Sequence, residues 1–169
     1  ASTLGPGATN LATGVGCAWL DRNPLIAITC NVATPMIERR TQMRIDHHAL
    51  FRPLTKSTFP LRSGQLADSL NQALHLAEAE PPGPVHLDLP IDVALSDTNE
   101  SPKGQRSSSR LPDISGEVAK VVADNLKRCK KPLVATGLTL SRYRGGKRLL
   151  AFIEKQNIPF VSTLHAKGH

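Results

Sequence analysis

Two hydrophobic periods alternate along the first half of the chain. Residues 8–20 are small and apolar and follow directly on Gly5-Pro6-Gly7, a pattern that predicts a tightly packed helix. Gly7, Gly14 and Gly16 each lower helix propensity, so another element is expected to approach closely there. Leu25-Ile26-Ala27-Ile28-Thr29 is a continuous apolar run between Asn23-Pro24 and Cys30-Asn31. Such a run marks a strand buried on both faces, as parallel sheets require. Residues 32–53 are polar and irregular, and a short strand is predicted at 55–61. Ser63 is placed to cap a helix running to Glu80, with Leu66, Leu70, Ala73, Leu74 and Ala77 on one face. Pro81-Pro82-Gly83-Pro84 stops that helix, and Val85-His86-Leu87-Asp88-Leu89 follows as an alternating strand ended by Pro90.

From 96 to 112 the chain turns polar and rich in Ser, Pro and Gly, the composition of a linker. Ser115 then caps a helix over 116–128 with Val118, Val122 and Leu126 facing inward. A strand at 132–136, a turn at Gly137, a helix at 144–156 and a strand at 158–163 form a β-α-β unit. That unit requires a parallel sheet and a right-handed crossover. Lys167-Gly168-His169 is expected to open a further loop. The pattern predicts an α/β protein built from three-layer, parallel-sheet units.

Composition narrows the class. At 169 residues and 40% hydrophobic, the chain suits one medium α/β domain or two incomplete ones. No apolar run approaches the roughly 18 residues of a membrane span, so no membrane partner is expected. The start, Ala1-Ser2-Thr3-Leu4-Gly5, has no secretory pattern and reads as a chain entered within an element. Cys17, Cys30 and Cys129 are odd in number and widely spaced, which predicts no disulfide framework and a cytoplasmic setting. Through residue 100, 7 Lys and Arg stand against 10 Asp and Glu, net −3; from Ser101 onward 14 stand against 4, net +10. The basic residues cluster at 103–110, at a helix C-terminus (Lys127, Arg128, Lys130, Lys131) and along 142–148. Basic residues complement a helix C-terminus, and no aromatic ladder accompanies them, so no nucleic acid is expected.

Two stretches are more specific than any periodicity. One is Gly5-Pro6-Gly7-Ala8-Thr9-Asn10-Leu11 continuing through Leu20-Asp21-Arg22-Asn23-Pro24 into the first strand; the other is Pro82-Gly83-Pro84-Val85-His86-Leu87-Asp88-Leu89-Pro90-Ile91-Asp92-Val93. In this order they resemble the pyrimidine-binding domain of thiamine diphosphate enzymes, in particular the acetolactate synthase and pyruvate oxidase branch. Gln42, Ile45-Asp46-His47 and Phe51-Arg52-Pro53-Leu54-Thr55-Lys56 resemble that branch's middle section. Pro132-Leu133-Val134-Ala135-Thr136-Gly137 and Pro159-Phe160-Val161-Ser162-Thr163 resemble the start of its central domain.

The resemblance implies a division of the chain. Residues 1–95 would be the latter part of the pyrimidine-binding domain, 96–112 a linker, and 113–169 the start of a Rossmann-like central domain. It implies thiamine diphosphate and Mg2+ as cofactors, a 2-oxo acid substrate, and a homo-oligomer of at least two subunits sharing each site. Gly5, Pro6, Gly7, Asn10 and Gln42 would lie at the cofactor, and Lys56 near the substrate channel. Glycine without a Cβ beside a proline of fixed direction lets backbone approach a flat ring. The family's activating glutamate would precede Gly5, and its diphosphate and magnesium motif would follow His169. No catalytic residue or metal ligand is therefore expected within the chain, and the 169 residues alone are expected to be inactive.

Some positions depart from the family. Cys30-Asn31 replaces Gly-Gln, and Thr41-Gln42-Met43 replaces Phe-Gln-Glu, which counts against an acetolactate product. Pro81 replaces a flavin-contacting Arg, and Gly137-Leu138-Thr139 lacks a second glycine, which counts against FAD. Plainer readings also fit: Gly5-Pro6-Gly7 as an ordinary strand-to-helix turn, Gln42 as a loop amide, Lys56 as an exposed lysine at a strand end. His47-His48 lacks a third metal ligand at suitable spacing. His86 is expected to face one side of its strand, and Cys30 to be a small structural residue rather than a reactive thiol. The alternatives to the enzyme are a nucleotide-binding or structural α/β module and a degenerate, non-catalytic paralogue; no Gly-x-Gly-x-x-Gly supports the former.

Overall fold

The computed structural model describes residues 1–101, 114–143 and 145–167. The chain divides into two compact units, Ala1–Ser109 and Arg110–His169. Most of the predicted linker, Arg144 as the start of a helix, and the loop expected at Gly168-His169 lie outside the described residues.

In the first unit, helix α1 (Pro6–Leu20) opens with proline in its first turn, where the missing N–H costs nothing. Strand β1 (Leu25–Asn31) follows it. The region expected to be irregular contains a short helix, α2 (His47–Phe51), because the Asp46 carboxylate caps it by accepting from Ala49 N at 2.9 Å. Strand β2 (Ser57–Pro60), helix α3 (Leu66–Glu78), strand β3 (Pro84–Pro90) and the short helix α4 (Ile91–Ala94) complete the unit. The three strands are parallel in the order β1-β3-β2, with Ala27 opposite His86, Thr29 opposite Asp88, and Thr58 also opposite His86. Ser2 adds a parallel bridge to Thr29 on the free side of β1.

Residue parity divides the core between the two faces of the sheet. Val85 and Leu87 pack with Leu61, Ala73, Ala77 and Val93 under α3 and α4. Ala27 packs with Ala8, Val15 and Phe51 under α1 and α2. The unit is thus a helix–sheet–helix sandwich, as parallel sheets demand. Strand β3 lies between the other two and is buried along nearly its whole length. Its polar positions, His86 and Asp88, therefore lie inside the protein at 0% and 2% exposure.

Helix α3 corrects one expectation. Ser63 is not its cap: Gly64 at φ 78° intervenes, the helix starts at Leu66, and the Ser63 hydroxyl pairs with that of Ser96 at 2.9 Å. The Glu100 carboxylate accepts from Ala67 N at 2.7 Å instead, so a distant residue supplies the cap. That bond from the Ala67 amide is the main reason the Glu100 carboxyl is held below its ordinary range.

In the second unit, helix α5 (Gly116–Arg128) begins where predicted, with the Ser115 hydroxyl accepting from Val118 N at 3.4 Å. Strands β4 (Val134–Thr136) and β5 (Phe160–Ser162) pair in parallel, and between them come α6 (Thr139–Arg142) and α7 (Gly146–Gln156). Helix α6 falls between Gly137, read as a turn, and the helix expected from 144, where no element is expected. Val118 and Val122, expected to face inward, are both 52% exposed. A sheet of two three-residue strands is too narrow to cover the apolar stripe of α5.

Candidate functional site

The site candidate lies where β1 and β3 end. Open parallel sheets bind ligands beyond the carboxyl ends of their strands, and the Gly5–Pro6–Gly7 turn leaves the sheet at that end, after the bridge between Ser2 and Thr29. Gly5 is buried and holds φ 61°, ψ −114° as the residue before α1. A Cβ there would lie 2.3 Å from the Met43 carbonyl oxygen, so only glycine lets the turn and the 41–44 loop meet. Gly7 is less constrained: a Cβ there would lie 2.6 Å from Thr3 Cγ2, a side-chain methyl of an exposed residue rather than backbone. The close approach expected along α1 is thus limited: Gly7 meets only the segment that leads into the helix, Gly14 faces open space, and Gly16 is in ordinary contact with Leu54 at 3.7 Å.

The structure brings the loop carrying Gln42 against the Gly5 turn through Met43, while Gln42 itself is exposed. Pro6 and Asn10 are exposed at the start of α1. The Ser2 and Thr41 hydroxyls, one in the segment leading into the turn and one beside Gln42, are buried and have no hydrogen-bond partner among the described residues. Lys56 is elsewhere engaged: its ammonium donates to the carbonyls of Leu76 and Ala79 at the end of α3. Burial lowers the Lys56 pKa, with the Glu80 charge opposing. Cys30, Cys17 and Cys129 are exposed free thiols. Among the described residues, no group of three or more His, Cys, Asp and Glu could hold a metal ion.

Beneath the turn lies a buried polar chain that sequence reasoning missed. Gly5 N–H donates to His47 Nε2 at 3.3 Å. His47 Nδ1 is 2.8 Å from Asp88 Oδ1 and 3.1 Å from the Thr29 hydroxyl. That hydroxyl donates to Asp88 Oδ1 at 2.9 Å, and Asn31 Nδ2 donates to Asp88 Oδ2 at 2.6 Å. On the other side, Thr29 meets His86 Nε2 at 2.9 Å, His86 Nδ1 meets the Thr58 hydroxyl at 2.7 Å, and Thr58 meets His48 Nδ1 at 2.7 Å. The His86 ring stacks on Phe51, centroids 4.2 Å apart. The exposed end opens onto a cleft of about 540 Å³ lined by Asp46, His48, Ala49, Arg52, Thr58 and Pro60.

The electrostatics follow from burial. Burial pushes the His86 pKa down to about 4; the Asp88 charge opposes this, and the other two histidines add to it. Burial alone would raise Asp88, but hydrogen bonds from His47, Asn31 and Thr29 outweigh it and leave the carboxyl below its ordinary value. Asp88 is thus a buried carboxylate and His86 a neutral imidazole at neutral pH.

Fold and site together define an open parallel α/β domain whose strand-to-helix turn faces the carboxyl end of the sheet. Comparison with known proteins makes this specific. Residues 1–50 match the family described as thiamine pyrophosphate enzyme, N-terminal TPP binding domain. Over 98% of the chain, the sequence is 32% identical to a probable acetolactate synthase large subunit of Methanococcus aeolicus and 33% identical to an acetolactate synthase large subunit of Lactococcus lactis. A third relative, from Corynebacterium glutamicum, is 34% identical over 99% of the chain. Along nearly its whole length the chain is thus similar to the acetolactate synthase-like branch of the thiamine diphosphate-dependent enzymes. It spans 29%, 30% and 27% of the length of these three relatives. No helix among the described residues is long and apolar enough to cross a membrane.

Proposed function

We propose that the protein carrying these residues uses thiamine diphosphate and magnesium to decarboxylate a 2-oxo acid and pass the resulting unit to an acceptor. Within it, residues 1–95 form part of a pyrimidine-binding domain, 96–112 a linker, and 113–169 the start of a Rossmann-like central domain. The observation that carries this reading is the Gly5–Pro6–Gly7 turn, held at the carboxyl end of the sheet inside the segment that matches the family. The residues present fit the aminopyrimidine. Two buried, unpartnered hydroxyls, Ser2 and Thr41, belong to the segments that frame the turn and offer the polar contacts such a ring needs. Gly5, Pro6, Gly7, Asn10 and Gln42 would hold it. When bound, thiamine diphosphate supplies the carbanion-stabilising chemistry; the chain's own part is to orient the ring and exclude water.

The chain spans less than a third of the length of these relatives, so the shared site is read as completed by other domains and by a second subunit. The 169 residues alone are accordingly proposed to be inactive, in a protein of the cytoplasm. In calorimetry they should show no measurable heat with thiamine diphosphate and magnesium; tight binding would show that they hold the whole site. The decisive experiment uses the intact protein, measuring carbon dioxide released from pyruvate and related 2-oxo acids with and without each cofactor. Release dependent on both supports the proposal. An intact protein that binds no thiamine diphosphate refutes it.

A further inference from the structure

We propose that His47 is a positioning residue for the Gly5–Pro6–Gly7 turn, its Nε2 lone pair holding the Gly5 amide while Asp88 fixes the ring in the tautomer that leaves that lone pair free. The proposal rests on the reading of this turn as the aminopyrimidine surface, but its geometry stands without it. Gly5 precedes the first helical residue, so its N–H has no place in the helix ladder, and it is buried. A buried N–H without an acceptor is costly enough that native structures rarely contain one. His47 Nε2, at 3.3 Å, is that acceptor.

An imidazole accepts at Nε2 only if its proton sits on Nδ1. Here Nδ1 faces the Asp88 carboxylate at 2.8 Å, and a carboxylate can only accept. The direction of every other bond follows. The Thr29 hydroxyl donates to Asp88, so toward His86 Nε2 it must accept. His86, neutral and protonated at Nε2, then accepts at Nδ1 from Thr58, and Thr58 accepts from His48 Nδ1. No other arrangement satisfies all of these contacts with His86 neutral. The His47 side chain is 0% exposed, so water cannot replace either of its partners.

The turn is thus pinned from two sides, by the Met43 carbonyl against Gly5 and by His47 beneath it. The supporting residues come from β1, β2, β3 and α2, which ties the turn to the whole unit rather than to α1 alone.

The first test uses the chain as it is, uniformly labelled with nitrogen-15. The expected spectrum shows His47 neutral with the proton on Nδ1 and a nitrogen–nitrogen coupling across the bond between Gly5 N and His47 Nε2. A proton on His47 Nε2 overturns the proposal. The second test compares variants by amide exchange. His47→Leu should speed exchange at Gly5 at least about tenfold, the worth of one hydrogen bond, while the Thr9 amide inside α1 stays protected. His47→Gln, whose side-chain oxygen can take the place of Nε2, should retain protection. Equal exchange at Gly5 in all three proteins overturns the proposal. In the intact protein, His47→Leu should raise half-saturation by thiamine diphosphate about tenfold and His47→Gln much less. Cofactor binding unchanged by His47→Leu counts against the positioning role. An intact protein that binds no cofactor refutes the functional reading, and the tautomer and exchange results then decide the positioning role alone.

Discussion

Acidification should destabilise the first unit well above the pH at which carboxylates titrate, and His86 is the reason. Its imidazole is completely buried and held down from 6.5 to about 4. In the unfolded chain the same ring takes a proton near 6.5. Between these values the unfolded state binds the proton and the folded state does not, so stability falls as pH falls from 6.5 toward 4 and is not lost further by this group below that. The displacement corresponds to about 3 kcal/mol at about 1.4 kcal/mol per pH unit. That is a large part of the roughly 5–15 kcal/mol typical of a domain. Asp88 acts in a lower window. Its folded pKa is depressed, so its contribution is present above its ordinary value of 3.8 and lost only as pH falls through the folded one. The assay is urea unfolding from pH 7 to 4.5, followed by the fluorescence of Trp19, the chain's single tryptophan and a residue of the first unit. His86→Gln, which cannot titrate, should be less stable at pH 7 but lose most of the slope. A wild-type midpoint unchanged between pH 7 and 4.5, or an equal fall in His86→Gln, would refute the reasoning.

Three further substitutions probe the elements around the site. Gly5→Ala would set a Cβ 2.3 Å from the Met43 carbonyl at a positive φ, and should cost more than about 1 kcal/mol and lower the melting temperature of the first unit. Gly14→Ala meets nothing within 4 Å inside α1 and should stabilise by about 0.5–1 kcal/mol, read as a higher urea midpoint. Lys56→Met keeps an apolar stem but removes both bonds to the end of α3; a loss of about 1–2 kcal/mol at unchanged denaturant slope is expected.

Much of the scaffold was readable because its signals are local. The apolar run of β1, the proline before it, the Ser115 cap and the Pro-Gly stop after α3 each act within a few residues. What stayed hidden depends on distance along the chain. Glu100 caps a helix that begins 34 residues earlier, with no local pattern to announce it. Helix α2 was missed because its five residues are too few to display a period; only the Asp46 cap marks it.

The buried chain beneath the turn was hidden for a different reason. Val85-His86-Leu87-Asp88-Leu89 alternates, and alternation ordinarily marks a strand with one face in water. In a strand parallel on both sides and covered by helices on both faces, that reading cannot hold, because no face is wet. The polar positions must then find partners inside. Two strands already carried part of the answer. Thr29 breaks the apolar run at the point that pairs with Asp88, and Thr58 pairs with His86. Once the sheet is taken as parallel and doubly covered, alternating polar residues in its central strand demand a buried hydrogen-bonding layer, and His47-His48 are the conspicuous polar pair left to supply it. That layer ends at the Gly5 amide, so the His86 ring on which the predicted acid sensitivity rests is linked through Thr29, Asp88 and His47 to the turn they hold in place.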